Sequence, residues 1–480
     1  MTLAPTTPST RPPTSGTPTE PDLPRVIGFW GATGLMAGIM IGSGIFATPP
    51  DVARQMGNPW LILLMWIAGG ALSLCGALTY AELAVMFPQS GGVYVFLREA
   101  YGRCVAFVFG WTYLLISKPV AAAGIAIVFA AQFNDLSFMR GFTAWFNEAT
   151  GLTWDNRATT TVLLTVFTYI NVRGVRLGTS VATVLTFFKA LALAAIVVAA
   201  ILLMKGSAAN LEPGPAPVSP KTGLPIPLWA ALVPVMFSVL WTYDGWSDVG
   251  AIAGEIKNPQ RSLPRIYLAG TAVVTLLYVA VNAVYMWMIP LDQMRTVDNV
   301  APMAAHELLG PAAATAIAIV VLVSAAGSTH GSIMTGARIS YAQARDELLF
   351  GFLGKVHPVY KTPAVSLWMQ LGLSLTALWF LGSFKHLADT FVFTMWIFYS
   401  MAAAAIFIFR RRLPDHPRPY RAWGYPVVPV LFIAAGVVMT VVSILQDPWR
   451  TLPWIAVLLA GVPVYFLWEK LRRRAGEARP

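Results

Sequence analysis

Gly38-Ile39-Met40-Ile41-Gly42-Ser43-Gly44-Ile45-Phe46 lies inside what would otherwise be one continuous membrane-spanning helix, Val26 to Thr48. Its core, Gly42-Ser43-Gly44, interrupts that helix. A second interruption, Trp241-Thr242-Tyr243-Asp244-Gly245-Trp246, falls inside the apolar segment 229–255. Broken backbone at membrane depth is tolerated only where it lines a cavity or is buried in protein. Breaks at matching places in two halves of a hydrophobic chain point to the solute site of a transporter.

The surrounding chain fits that reading. Its 480 residues are 56% hydrophobic and only 11% charged, with a mean hydropathy of +0.64. Twelve apolar segments approach the ~20 residues that span a bilayer: 26–48, 60–87, 104–132, 158–172, 178–204, 229–255, 265–289, 311–340, 363–383, 388–409, 424–445 and 451–468. The fourth is short. The class is an all-α integral membrane protein with 12 transmembrane helices. Five segments run from the first break and five from the second, with two left over. Because five is odd, the halves enter the membrane from opposite sides, which makes an inverted repeat (repeat one about 26–204, repeat two about 229–409, then 424–468).

The net charge of +11 looks at first like a nucleic-acid signal, but its distribution reports topology. With both ends inside, the outer loops hold eight Lys and Arg. The inner side holds the larger remainder, including Arg98, Arg103, Arg173, Arg176, Lys257, Arg261, Arg265 and Arg410-Arg411-Arg412. This positive-inside asymmetry places both termini in the cytoplasm and makes the lipid bilayer the partner, with no nucleic acid. Cys75 and Cys104 are the only cysteines, both in or beside membrane segments. No disulfide to a partner subunit is therefore expected. Residues 1–24, rich in Pro, Thr and Ser, read as a disordered cytoplasmic tail, 25–470 as the transporter domain, and 471–480 as a second tail.

At the first break, a helix restarting near Ile45 would point the amides of Ser43, Gly44 and Ile45 into the gap. Free N–H groups and the helix dipole together suit a carboxylate. The carbonyls of Met40 and Ile41, ending the preceding half-helix, suit an ammonium. One gap thus matches both ends of an amino-acid backbone, although small residues also serve simply to pack helices closely. At the second break, Trp241, Tyr243 and Trp246 lie too deep for an interfacial aromatic belt. Trp241 is placed to cover a bound solute. Asp244 is costly at this depth and marks function. Asp248, four residues on, shares its face if the α-helix has resumed, and sits nearer the cytoplasmic end, partly solvated.

Lys189 lies eleven residues into the fifth segment, about 16 Å deep, too far to snorkel to either surface. It faces protein or water, as a substitute for a coupling cation, a proton carrier or a fixed structural charge. Lys118-Pro119 in the third segment reads as a kink whose lysine pairs freed carbonyls. Glu82 lies near the cytoplasmic end of the second segment, within reach of inner-loop arginines, and His330 reads as a packing residue. The chain carries no metal-ligand spacing, nucleophile set or phosphate loop, so neither an enzyme nor a cofactor is expected.

Five stretches, in order across residues 26–470, resemble one family. They are Gly42-Ser43-Gly44-Ile45-Phe46; Tyr80-Ala81-Glu82-Leu83 with Phe87-Pro88-Gln89-Ser90-Gly91-Gly92-Val93-Tyr94; Gly254-Glu255-Ile256-Lys257-Asn258-Pro259-Gln260-Arg261; Arg338-Ile339-Ser340-Tyr341-Ala342-Gln343-Ala344-Arg345-Asp346; and Arg418-Pro419-Tyr420-Arg421 with Tyr425-Pro426-Val427-Val428-Pro429. They are similar to the amino acid–polyamine–organocation superfamily, in its L-type amino acid transporter branch. The resemblance implies a LeuT-type 5+5 inverted repeat working by alternating access. It implies a substrate carboxylate on the amides of Ser43, Gly44 and Ile45, an α-amino group on the carbonyls of Met40 and Trp241, and Trp241 as a gate. It also implies that Lys189 replaces a sodium ion. Transport in such proteins is usually exchange, sometimes proton-coupled.

Three departures qualify this. Asp244 stands where carriers of large neutral amino acids have glycine, and the pattern Trp-x-Tyr-Asp-Gly-Trp is similar to a carrier that accepts cystine and basic amino acids. His330 stands where relatives often have asparagine. The outer loop 133–157 lacks the cysteine that links animal relatives to a heavy subunit, so the chain is expected to act alone. The sequence thus points to a sodium-independent L-amino acid exchanger in the cell membrane, with proton symport as the alternative. An amino acid sensor incapable of transport is a further one, although neither tail offers a signalling module.

Overall fold

The computed structural model describes residues 23–218, 223–297, 299–381 and 384–477. The tail expected at 1–24 lies outside the described residues apart from its last two, as do 478–480. Among the described residues the chain is helical, and its β contacts are two isolated bridges, Ile27 with Ile256 and Val218 with Pro225. The first apolar segment is split into α1 (Phe29–Met40) and α2 (Gly44–Gln55). Next comes α3 (Pro59–Met86), whose N-cap Asn58 accepts from the amides of Trp60 and Leu61 at 3.0 and 3.3 Å. A short α4 (Val93–Tyr101) precedes α5 (Arg103–Asn134), which is locally π-wound at Tyr113–Ser117 just before Lys118 and Pro119.

The amphipathic α6 (Ser137–Thr150) leads to α7 (Asn156–Arg173) and α8 (Val175–Leu202). The second break separates α9 (Leu228–Tyr243) from a 3-10 helix, Trp246–Glu255. Then come α10 (Pro259–Met288), α11 (Val300–Leu309), α12 (Pro311–Arg345), α13 (Ala364–Leu381), α14 (Phe384–Arg412), α15 (Val427–Gln446) and α16 (Pro448–Glu477). α16 carries its helix to Glu477, into the stretch read as a tail.

Nine of these helical stretches are long and apolar enough to cross a membrane among the described residues, so the protein is a multi-pass membrane protein. Of the other three expected spans, α7 is rich in threonine and falls short of that measure, and the described side chains of α8 and α13 include the apolar stretches Thr186–Leu202 and Ala364–Phe380. α12 runs through the centre, packed against α1, α5, α7 and α8. α15 and α16 are the least buried and present apolar side chains such as Val437, Val441, Leu459 and Phe466 outward.

Charged pairs fasten one end of the helix bundle. Glu82 receives the Arg410 guanidinium at 2.7 and 3.1 Å and the Ala422 amide at 2.7 Å, with Arg418 at 3.5 Å, the arginine pairing anticipated for it. Glu255, ending the 3-10 helix, pairs with Arg338 of α12 at 2.9 Å, and both are fully buried. Asp346 accepts from the Tyr94 hydroxyl at 2.8 Å and pairs with Arg98, closing α4 onto the end of α12. On the opposite side two arginines exchange places. Arg54 of α2 donates to the carbonyls of Arg295 and Val297 at 2.9 and 2.7 Å, while Arg295 donates to that of Ala53 at 2.8 Å.

Candidate functional site

α1 stops because its backbone turns in on itself. The Ile41 amide still bonds the Ala37 carbonyl at 2.7 Å, and that of Gly42 turns back to Met40 at 2.7 Å. The helix resumes at Gly44, one residue before the expected restart. Its first amide with a backbone acceptor is that of Phe46, on Ser43 at 3.2 Å. The amides of Ser43, Gly44 and Ile45 have no acceptor among the described residues, as befits a helix N-terminus. The Ser43 hydroxyl is buried and equally without a partner among them. A Cβ on Gly44 would lie 2.9 Å from Cα and Oγ1 of Thr242, so the opposing half-helix requires glycine there. The hydroxyls of Thr242 and Thr48 meet at 2.8 Å and hold α9 to α2.

At the second break Asp244 is extended and Gly245 has φ +114°, a left-handed conformation that favours glycine. A Cβ on Gly245 would also lie 2.7 Å from Ile39 Cγ2. Beyond Gly245 the chain winds as 3-10 and not α, so Asp244 and Asp248 do not share an α-helical face as the sequence spacing suggested. Asp244 accepts from the Tyr399 hydroxyl at 3.0 Å, and Ser247 donates to that same hydroxyl oxygen at 3.0 Å. Asp248 is 5% exposed, not partly solvated, and takes the Lys118 ammonium at 2.5 Å and the Thr335 hydroxyl at 3.1 Å. Lys118 was expected to pair carbonyls freed by Pro119. The π-wound turn ahead of it keeps the helix bonded, and the lysine meets a carboxylate instead.

The two breaks enclose one cavity. Met40, Gly42, Ser43 and Gly44 line it from the first, and Trp241 and Asp244 from the second. At ≈ 30 Å³ it has room for about one or two waters, so its walls must part to admit an amino acid. Trp241 closes one side, edge-to-face against Phe391 with ring centroids 5.3 Å apart. Other sequence-derived candidates stand behind this wall. Ile41 and Ile45 are buried in the core. Tyr243 points away, its hydroxyl 3.1 Å from the Trp66 carbonyl.

Lys189 supports the break from behind α1. It is fully buried, and its ammonium donates to the Gly38 carbonyl at 2.5 Å and to Ser328 Oγ at 3.2 Å. Two more carbonyls at the end of α1 are also engaged. Met40 receives the Tyr278 hydroxyl at 2.5 Å, and Ile41 receives Ser324 at 2.8 Å. Ser328 adds a bond to Gly38 at 2.6 Å. The carbonyl of Ile39 receives none among the described residues, and that of Trp241 receives the Asp244 amide at 3.2 Å. Ser324, Ser328, Tyr278, Tyr399 and Ser332 were not singled out in the sequence. The one available signal was the serine repeat at 324, 328 and 332, four apart on a single helical face. His330 lies outside the cavity, its Nδ1 3.1 Å from the Asn171 side-chain amide and its ring edge-on to Phe167.

The amino acid permease family model matches residues 27–462. The chain is 30% identical over 451 residues to the serine/threonine exchanger SteT of Bacillus subtilis, covering 93% of this chain and 98% of that protein. It is 30% identical over 444 residues to the cystine/glutamate transporter of Homo sapiens, with 92% and 85% covered. Over 450 residues it is 31% identical to the large neutral amino acids transporter small subunit 2 of Mus musculus, with 93% and 81% covered.

Proposed function

Because the chain belongs to the amino acid permease family, we propose that it is a sodium-independent L-amino acid exchanger working by alternating access. The reading takes twelve crossings as a 5+5 inverted repeat of the LeuT type, in the cell membrane with both termini cytoplasmic. The observation that carries it is the cavity between the two breaks, lined by Ser43 and Gly44, whose amides have no acceptor and whose serine hydroxyl has no partner among the described residues. Such a group of donors at a helix N-terminus binds a carboxylate. The carbonyls of Ile39 and Trp241 are the acceptors assigned to the α-amino group. Substrate binding is therefore assigned to Met40 through Ile45 with Trp241, Tyr243 and Asp244. Here Ile41, Ile45 and Tyr243 shape the backbone and core, and the others reach the cavity. No cofactor enters this scheme, nor does a disulfide-linked heavy subunit.

Lys189 supports sodium independence. Its ammonium already occupies the carbonyl of Gly38 and the hydroxyl of Ser328 beside the break, oxygens of the kind that coordinate a hard cation. A second reading, proton symport, is favoured by the same residue, because no carboxylate pairs with it among the described residues. Uptake of a labelled amino-acid panel into proteoliposomes at equal pH and without sodium decides between them. Uptake confined to vesicles preloaded with amino acid is expected. Uptake into empty vesicles that rises with an inward proton gradient would establish symport and retire exchange.

A further inference from the structure

We infer that Ser332, with Lys118 lining the same cavity, reads the substrate side chain and favours a hydroxyl or carboxamide over its aliphatic isostere; this rests on the amino acid reading above. The serine stripe of α12 divides into two uses. Ser324 and Ser328 are spent on the carbonyls of Ile41 and Gly38. Ser332, two turns on from Ser324, has no such duty. It is 1% exposed, its Oγ has no partner among the described residues, and it lines the cavity. A buried hydroxyl left unpaired forfeits its bonds to water with nothing in return, and at this position the missing partner is what enters the cavity.

The groups around it extend the argument. Lys118 lines the same cavity and gives one bond to Asp248, while an ammonium has three donors. Asp244 gives one oxygen to Tyr399 and also lines the cavity. Ala121, Ile125 and Phe391 provide the apolar remainder. The wall therefore offers hydrogen-bond donors and acceptors together, set in an apolar surround. A hydroxyl or carboxamide supplies one of each in return. An aliphatic group of the same shape would leave the wall's polar groups dry, which is how a hydrogen-bonding site rejects an isostere.

The test uses the full-length protein in proteoliposomes and two near-isosteric pairs, threonine with valine and asparagine with leucine. Uptake efficiency is compared within each pair, so that any loss of folded protein cancels. The polar member is expected to exceed its partner by about 10-fold or more. Ser332→Ala should shrink each ratio by about 3- to 10-fold, the worth of one neutral hydrogen bond, and Ser332→Thr should keep it. Valine and leucine carried as well as their polar partners would overturn the inference, as would ratios unchanged in Ser332→Ala. Absence of uptake of any amino acid would instead overturn the reading beneath it, and this inference with it.

Discussion

The Lys189 ammonium and the Gly38 carbonyl meet at 2.5 Å between α8 and α1, one turn before the break, with neither group reaching the cavity. The lysine thereby fixes where α1 ends without touching what binds there. A charged hydrogen bond of this kind is worth about 1.5–3 kcal/mol. Lys189→Ala should therefore cut exchange by at least about tenfold while the protein still reaches the membrane. Uptake normalised to membrane-inserted protein measures this, and wild-type rates would reduce Lys189 to a packing residue.

Gly44 faces Thr242 with no space for a side chain. Gly44→Leu should abolish amino acid binding, because the substituent fills the gap where the amides converge or drives α2 from α9. Ligand-induced thermal stabilisation of the purified protein reports binding directly. Retained stabilisation at wild-type concentrations would remove the carboxylate assignment.

Asp244 reaches the cavity with one carboxylate oxygen held by Tyr399. Asp244→Asn keeps the shape and removes the charge. Competition by lysine and arginine should weaken more than competition by neutral amino acids, measured as inhibition of labelled exchange. Equal weakening of both would make Asp244 an anchor for Tyr399 and not a reader of charge.

Glu255 and Arg338 are both fully buried and bonded to each other. Arg338→Met would strand a carboxylate, at a cost of about 3–5 kcal/mol, whereas removing both charges is often far milder. The single variant should unfold at a clearly lower temperature in detergent, and Arg338→Met combined with Glu255→Gln should recover most of the loss. A double variant no more stable than the single one would show that packing, not the uncompensated charge, dominates.

The breaks themselves were legible in the sequence because they depend on local chemistry, namely glycine, serine and a buried acid where a continuous helix would be apolar. The arginine partners of Glu82 were legible because it lies near the end of a helix on the side where the sequence concentrates its arginines. The fate of Asp248 was not. Its spacing from Asp244 suits an α-helical face, but the chain beyond Gly245 winds as a 3-10 helix against α12, which buries the acid against Lys118 and Thr335. The carbonyls of Met40 and Ile41 likewise looked available. Their donors, Tyr278 and Ser324, come from more than two hundred residues away, and no local pattern connects them.

Arg54 and Arg295 reach past each other to backbone carbonyls, three bonds that do not depend on any side-chain acceptor. Carbonyl acceptors cannot be removed by substituting the residue that bears them, so sequence drift in the 291–297 stretch leaves the joint intact provided the two arginines persist. The joint also gears motion. If α2 tilts to open a path to the cavity, that stretch must travel with it as one lever arm, or all three bonds must part in the same step.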